Sequence, residues 1–169
     1  MSGEAIPADE LMALFEAARW APSSGNAQPW RVLYARRDTV DWPLFFDLLV
    51  ARNKLWCVNA AALVLFTSKT VTDAGKPSVT HSYDTGAAWE SFALQGWMKG
   101  LVVHGMQGFD YDAARRVLEI PEDCRVEAMA AVGRPGRVED LEESFRPRET
   151  PSGRKPLSEI LFEGKWPRG

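Results

Sequence analysis

Apolar residues recur at helical spacing near the start of the chain. Leu11, Leu14, Phe15 and Ala18 share one face and predict a helix over 7–19. Pro7 suits its first turn, Asp9 and Glu10 suit its dipole, and Pro22 requires it to stop. A polar loop follows from Pro22 to Pro29. Residues 30–35 then alternate as a strand, with Trp30, Val32 and Tyr34 on one face. Leu44, Phe45, Leu48 and Leu49 predict a second helix running toward Asn53. Residues 61–67 form a continuous apolar run, expected as a central strand buried on both faces. Residues 69–82 are polar and irregular and predict a loop. Asp84 is the expected N-cap of a long helix through Lys99, closed by Gly100. That helix is apolar nearly all round, as befits the buried axis of a domain or of a dimer. Leu101 to Val103 lead into an expected loop, His104-Gly105-Met106-Gln107-Gly108. Asp110 or Asp112 caps a shorter helix ending near Glu119. Val126, Ala128, Ala130 and Val132 alternate as a last strand, stopped by Gly133 and Pro135.

After Pro135 charges crowd and apolar residues thin, until Leu157, Ile160, Leu161 and Phe162. The stretch 136–169 is too poor in apolar residues to fold alone. It is expected to be a tail of a single domain, wrapping onto the body or onto a partner chain. Helices and strands interleave without the strict rhythm of a doubly wound sheet, so the expected class is α+β.

Length and composition narrow the function. The 169 residues predict one domain, and 46% hydrophobic with 25% charged residues excludes intrinsic disorder. A net charge of −3 gives no polycationic footprint for nucleic acid or an anionic membrane. No apolar run approaches the ~20 residues of a membrane span, and the start lacks the marks of a signal peptide. Cys57 and Cys124 form no disulfide framework or metal-ligand pair and read as small buried hydrophobes, which fits a reduced, cytoplasmic setting. His81 and His104 lie too far apart in sequence for a His-rich metal site. His81 reads as a solvated loop residue, and residues 139–143 as a solvated charged face. The unusual count is seven tryptophans, more than a minimal core needs. They point to a groove, an interface or a flat ligand.

The segment richest in candidate chemistry is 17–30, Ala-Ala-Arg-Trp-Ala-Pro-Ser-Ser-Gly-Asn-Ala-Gln-Pro-Trp. Ser23, Ser24 and Asn26 have the donors and acceptors to bond a heteroaromatic edge, with Pro22 on an apolar rim. The same residues also suit a well-capped connecting loop.

This contiguous stretch resembles the signature of the flavin-dependent nitroreductase family. The resemblance runs in order from about Pro7 to Trp166. It implies an α+β fold with a central, mainly antiparallel sheet flanked by helices, in an intertwined homodimer with an extended C-terminal tail. It implies FMN as cofactor, contacted by Pro22, Ser23, Ser24 and Asn26, often from the second subunit. Gln28 and Trp30 hold the loop's shape. Asn53 matches an asparagine that bonds the flavin pyrimidine edge. Asp84, Gly86 and the Trp-rich helix resemble the dimer helix, where Trp89, Phe92 and Trp97 would be core or interface. His104, Gly105, Met106, Gln107 and Gly108, before Phe109-Asp110, resemble the segment whose backbone faces flavin N5 near Gln107. His104 either lines that pocket or bonds the loop backbone. Arg154-Lys155-Pro156-Leu157 resembles a C-terminal phosphate-binding element. Arg154 is the first choice there and Lys155 the second, since a guanidinium grips a phosphate with two bonds.

The family usually opens with an arginine-rich motif, whereas here no Arg or Lys precedes Arg19. As a shortened member, the chain is expected to bind FMN less tightly. The implied activity is hydride transfer from NADH or NADPH through FMN to a nitroaromatic, quinone or similar acceptor, by a ping-pong mechanism. No catalytic triad or carboxylate pair is expected, because the cofactor carries the chemistry. Two other readings stay open: a flavin-binding protein without turnover, and a cofactor-free dimeric module.

Overall fold

The apolar run at 61–67 becomes the middle of the sheet. In a computed structural model that describes residues 1–167, the sheet has four antiparallel strands. They are β1 (Trp30–Arg36), β2 (Ala62–Lys69), β3 (Val102–Met106) and β4 (Cys124–Gly133), in the order β1-β2-β4-β3. Every residue of β2 from Ala62 to Ser68 is buried, so both faces of the sheet must be covered. The α+β class is the one read from the sequence.

One face is covered by α1 (Ala8–Arg19) and α4 (His81–Met98). Leu11, Leu14 and Ala18 of α1 meet Ala88 and Phe92 of α4 over Val64 and Phe66. Phe92 is the hub, with ring centroids 5.1 Å from Phe15 and 5.5 Å from Phe66. The other face is covered by α2 (Trp42–Phe46), α3 (Ala51–Cys57) and α5 (Tyr111–Val117). Their Phe45, Cys57 and Ala114 pack with Leu63, Leu65 and Met129.

Several boundaries differ from the sequence reading. The helix expected from Leu44 toward Asn53 is two helices. Leu49 pairs with Phe109 in an antiparallel bridge, and extended Val50 breaks the run. The helix α4 begins at His81 with Thr80 as its cap residue, so Asp84 lies inside the first turn. His81 is therefore not a solvated loop residue. His104, Gly105 and Met106 belong to β3 rather than to a loop, because β4 continues the ladder beside them. The polar stretch before α4 is partly ordered by a bridge between Val71 and Pro77. Asp110 is the cap of α5, and its Oδ1 accepts from the Ala113 N–H at 2.8 Å.

The strand β4 carries a bulge that the alternating pattern concealed. Phe66 faces Ala128, but the next residue, Thr67, faces Val126. Glu127 is the extra residue. A bulge of this kind reverses the alternation on its strand. Accordingly Cys124 and Val126 belong to one core while Ala130 and Val132 belong to the other. Val126 and Ala130 do not share a face.

The chain divides into two compact units, Met1–Arg137 and the segment from Val138 onward. The second unit contains three 3-10 turns, Val138–Asp140, Arg146–Glu149 and Leu157–Glu159. Arg146 braces it by donating to the carbonyls of Leu141 and Glu139, both at 3.0 Å. No helix among the described residues is long and apolar enough to cross a membrane.

Gly96 marks where α4 approaches its neighbours most closely. A Cβ there would lie 2.4 Å from Val103 Cγ2 and 3.2 Å from Leu14 Cδ2. Both are short side chains fixed on packed elements. Gly96→Ala is therefore expected to destabilise the fold by about 1–3 kcal/mol despite alanine's better helix propensity. Denaturant unfolding measures this, and a neutral or stabilising result would contradict the close packing.

Candidate functional site

The loop between α1 and β1 is built by its own side chains. Ser23 Oγ accepts from the Gln28 N–H at 2.9 Å, and Gln28 Nε2 donates to the Asn26 carbonyl at 3.0 Å. Gly25, Asn26 and Gln28 all have positive φ, a combination that suits glycine and asparagine. Gln28 is thus a loop-shaping residue, and Trp30 is buried in the core below. Pro22 and Ser24 are exposed and Ser23 is half-buried. The buried carboxylate of Asp84 ties this loop to α4. Its Oδ2 accepts from the Ser24 N–H at 3.2 Å and from Thr80 Oγ1 at 3.0 Å.

A second cluster forms around the end of β3. Asn53 Nδ2 donates to the Gly108 carbonyl at 3.0 Å and contacts Met106 Sδ at 3.6 Å. A Cβ on Gly108 would lie 2.5 Å from that same nitrogen, so the loop closes on Asn53 only because residue 108 is glycine. His104 packs its ring against Trp56 at 4.6 Å. Gly105 is pressed against Trp89 of α4, where a Cβ would come within 2.8 Å of the indole.

Between α4 and the ends of β3 and β4 lies a cavity of about 470 Å³. Gly105, Met106 and Gln107 form one wall, and Thr85, Gly86 and Trp89 another. Two polar atoms on these lining residues are buried without a hydrogen-bond partner among the described residues: Thr85 Oγ1 and Trp89 Nε1. A buried polar atom left unpaired costs about 1–3 kcal/mol. A ligand with acceptors at its edge relieves that cost. The glycine wall and the indole suit a flat one.

The expected site residues thus fall into separate groups. Asn53 reaches both Met106 and Gly108 through Nδ2, and Gly105 and Gln107 adjoin them on the cavity. Pro22, Ser23, Ser24, Asn26 and Gln28 form a group anchored at the first turn of α4. Arg154 and Lys155 belong to the second unit. There Arg154 Nη1 donates to the Ser152 and Gly153 carbonyls at 3.1 and 3.0 Å, and Lys155 Nζ lies 3.8 Å from Glu159 Oε2. Thr85, Ser82 and Glu127 also line the cavity but were not among the residues singled out from sequence. The usable signal for Glu127 was a carboxylate set between apolar Val126 and Ala128 of the strand.

Comparison with known proteins identifies the family. The Nitroreductase family profile matches residues 2–54, which span the loop and Asn53. A solved structure described as an oxidoreductase containing FMN is 41% identical, over 98% of this chain and 86% of that one, with a TM-score of 0.94. The chain belongs to the nitroreductase family. A nitroreductase in complex with FMN from Desulfovibrio desulfuricans shares the fold at 23% identity, covering 97% of this chain and 88% of that one, with a TM-score of 0.73. An uncharacterized 15.4 kDa protein of Mycolicibacterium smegmatis is 29% identical over 122 residues, 70% of this chain and 80% of that one. The antiparallel sheet flanked by helices is the nitroreductase-like fold anticipated from the motifs.

Two predictions follow from the anchoring contacts. Asp84→Ala leaves the Ser24 N–H and the Thr80 hydroxyl without their acceptor. It is expected to lower stability by roughly 2 kcal/mol, with the largest loss of amide-exchange protection at Ser24. Unchanged protection there would show that the loop holds itself. Cys57 sits below Met106, its sulfur 3.9 Å from the thioether, and burial pushes its thiol from 9.0 up to about 12. The protonated thiol's contribution to stability is therefore full below pH 9.0 and lost as pH rises toward about 12. Native protein is expected to resist thiol alkylation at neutral pH, whereas rapid labelling of Cys57 would contradict its burial.

Proposed function

We propose that this nitroreductase-family protein is an FMN-dependent oxidoreductase, taking hydride from NADH or NADPH and passing it to a small nitroaromatic, quinone or similar acceptor in a ping-pong cycle. The observation that carries the reading is the cavity beside Gly105 and Gln107, whose lining residues carry two unpaired buried polar atoms. The 41% identity to an oxidoreductase containing FMN supports the choice of ligand. These features fit FMN: the Trp89 N–H needs an acceptor, and the indole packed on the bare Gly105 backbone offers a flat wall.

When bound, FMN supplies the hydride chemistry, so the chain's own residues need only bind, orient and exclude water. Gly105, Met106, Gln107 and Gly108 would cover one side of the ring, with a backbone N–H near Gln107 tuning the redox atom. Asn53 uses Nδ2 on Gly108, which leaves its carbonyl oxygen for a ring N–H. Pro22, Ser23, Ser24 and Asn26 would complete the site across a homodimer. Exposed Leu94, Trp97 and Met98 on α4 support such a dimer, because three neighbouring large apolar side chains left in water mark an interface. Arg154 would hold the phosphate, since its three internal bonds use Nη1 alone. Lys155 ranks second because it faces Glu159. The two cysteines, buried and reduced, suit a cytoplasmic setting.

Purified protein is expected to take up added FMN and to lose the flavin absorbance anaerobically with NADH or NADPH. A colourless protein that takes up no FMN would overturn the reading, and a yellow protein not bleached by either nucleotide would leave a flavin carrier without turnover. Arg154→Ala is expected to weaken FMN binding about tenfold or more while leaving thermal unfolding unchanged, as a charge-assisted bond to an anion contributes roughly 1.5–3 kcal/mol.

A further inference from the structure

The β4 bulge places two consecutive residues, Glu127 and Ala128, on the lining of the same cavity. In a regular strand, successive side chains point to opposite faces. The extra residue is what turns the Glu127 carboxylate toward α4. Bulges are over-represented beside functional sites because they re-aim a side chain in this way.

Two serine hydroxyls bond that carboxylate, with His81 behind them. Ser68 Oγ and Ser82 Oγ both donate to Glu127 Oε1, each at 2.5 Å. The Ser68 hydroxyl also lies 2.7 Å from His81 Nδ1. A hydroxyl has one proton. With that proton spent on Glu127, Ser68 must accept from His81, so His81 carries its proton on Nδ1. The network therefore points from His81 through Ser68 to Glu127. Oε1 is saturated by its two donors. Among the described residues, the other oxygen, Oε2, has only Arg125 Nε at 3.7 Å, on a side chain that is 64% exposed. That pairing is long and water-screened, and contributes little. Phe66, Trp89, Met106 and Ala128 give the lining aromatic and apolar surface, beside polar Thr85 and Gln107.

We infer that Glu127 makes this cavity selective for aromatic ligands bearing a cationic or N–H donor group, and against carboxylates. The carboxylate is held as an acceptor with one oxygen unused, and the ring walls supply the apolar contact. A cationic aromatic satisfies both, whereas an anionic one meets like charge across a partly desolvated site. The inference rests on the flavin reading only where the ligand is taken to be the electron acceptor. Glu127 is then a specificity-determining residue.

The test is isothermal titration of FMN-loaded protein with 4-nitrobenzylamine and 4-nitrobenzoate, which match in shape and differ in charge sign. The amine is expected to bind about tenfold more tightly. In Glu127→Gln, which keeps an oxygen for both serine hydroxyls, the two affinities are expected to converge to within about threefold. Arg125→Ala, which removes the nearest guanidinium, is expected to widen the preference. Equal binding of the two compounds, tighter binding of the benzoate, no binding of either, or an unchanged preference in Glu127→Gln overturns the inference. Should Glu127→Gln fail to fold, Glu127→Asp keeps the charge but withdraws it by one methylene, and a preference that does not narrow counts against the inference. FMN loading is read separately from visible absorbance in each sample. Protein that takes up no FMN is titrated as purified, so failure of the flavin reading is told apart from failure of the charge preference.

Discussion

The pairing of β2 with β4 is the constraint on which the rest depends. Ala62 to Ser68 has no face turned to water, so the two central strands need cover on both sides. Burying a side chain such as Phe66 or Leu63 contributes roughly 1.5–3 kcal/mol, but only if helices dock over each face. The chain meets this with α1 and α4 on one side and α2, α3 and α5 on the other. The cavity opens where this cover is interrupted, between the first half of α4 and the ends of β3 and β4. The bulge at Glu127 lies there as well, at the one place where the β2–β4 register slips. Regular pairing holds the scaffold, and its single irregularity directs a charge into the cavity.

Much of this was legible in the sequence because the signals were local and strong. The run at 61–67, the Asp110 cap of α5, the closing Gly100 after α4, and the turn residues at 22–28 each carry their own physical cause. What escaped was set by tertiary contact. Leu49 sits at helical spacing after Phe45, yet its bridge to Phe109 takes it out of the helix. His104 to Met106 contain a glycine and read as loop, but β4 supplies a ladder that overrides local propensity. Val126 fits a strict alternation with Ala130, and only the register across to β2 reveals that the phase changes between them.

The same contrast holds for the site. The serine and asparagine loop and the residues around Gln107 were found by motif. Thr85, Ser82 and Glu127 carry no motif and became visible only through burial and bonding. The tryptophan surplus is now explained in part. Trp89 packs on Gly105 beside the cavity, Trp56 packs at a tilt against His104, Trp30 anchors the loop's exit, and Trp97 is left exposed on α4. Glycine and indole are complementary in this fold. Gly105 is tolerated in β3 because Trp89 fills the volume its side chain would occupy, and Trp89 reaches that close only because residue 105 lacks a Cβ.

That exchange of volume also explains how the sheet and its helices combine a flat site with a charged edge. An indole and a bare strand backbone make a wall with little chemistry of its own, suited to a ring recognised by shape. Discrimination must then come from the opposite side, where the wall turns polar. Glu127 there keeps one carboxylate oxygen without a hydrogen-bond donor among the described residues, since Ser68 and Ser82 spend their protons on the other. The bulge interrupts the ladder and leaves Glu127 without a cross-strand partner. It persists because the four-residue network of Ser68, His81, Ser82 and Glu127 holds the displaced side chain in place. A strand of regular pleat would have turned this carboxylate away from the cavity, and the pocket would have had no acidic edge with which to distinguish ligands by charge.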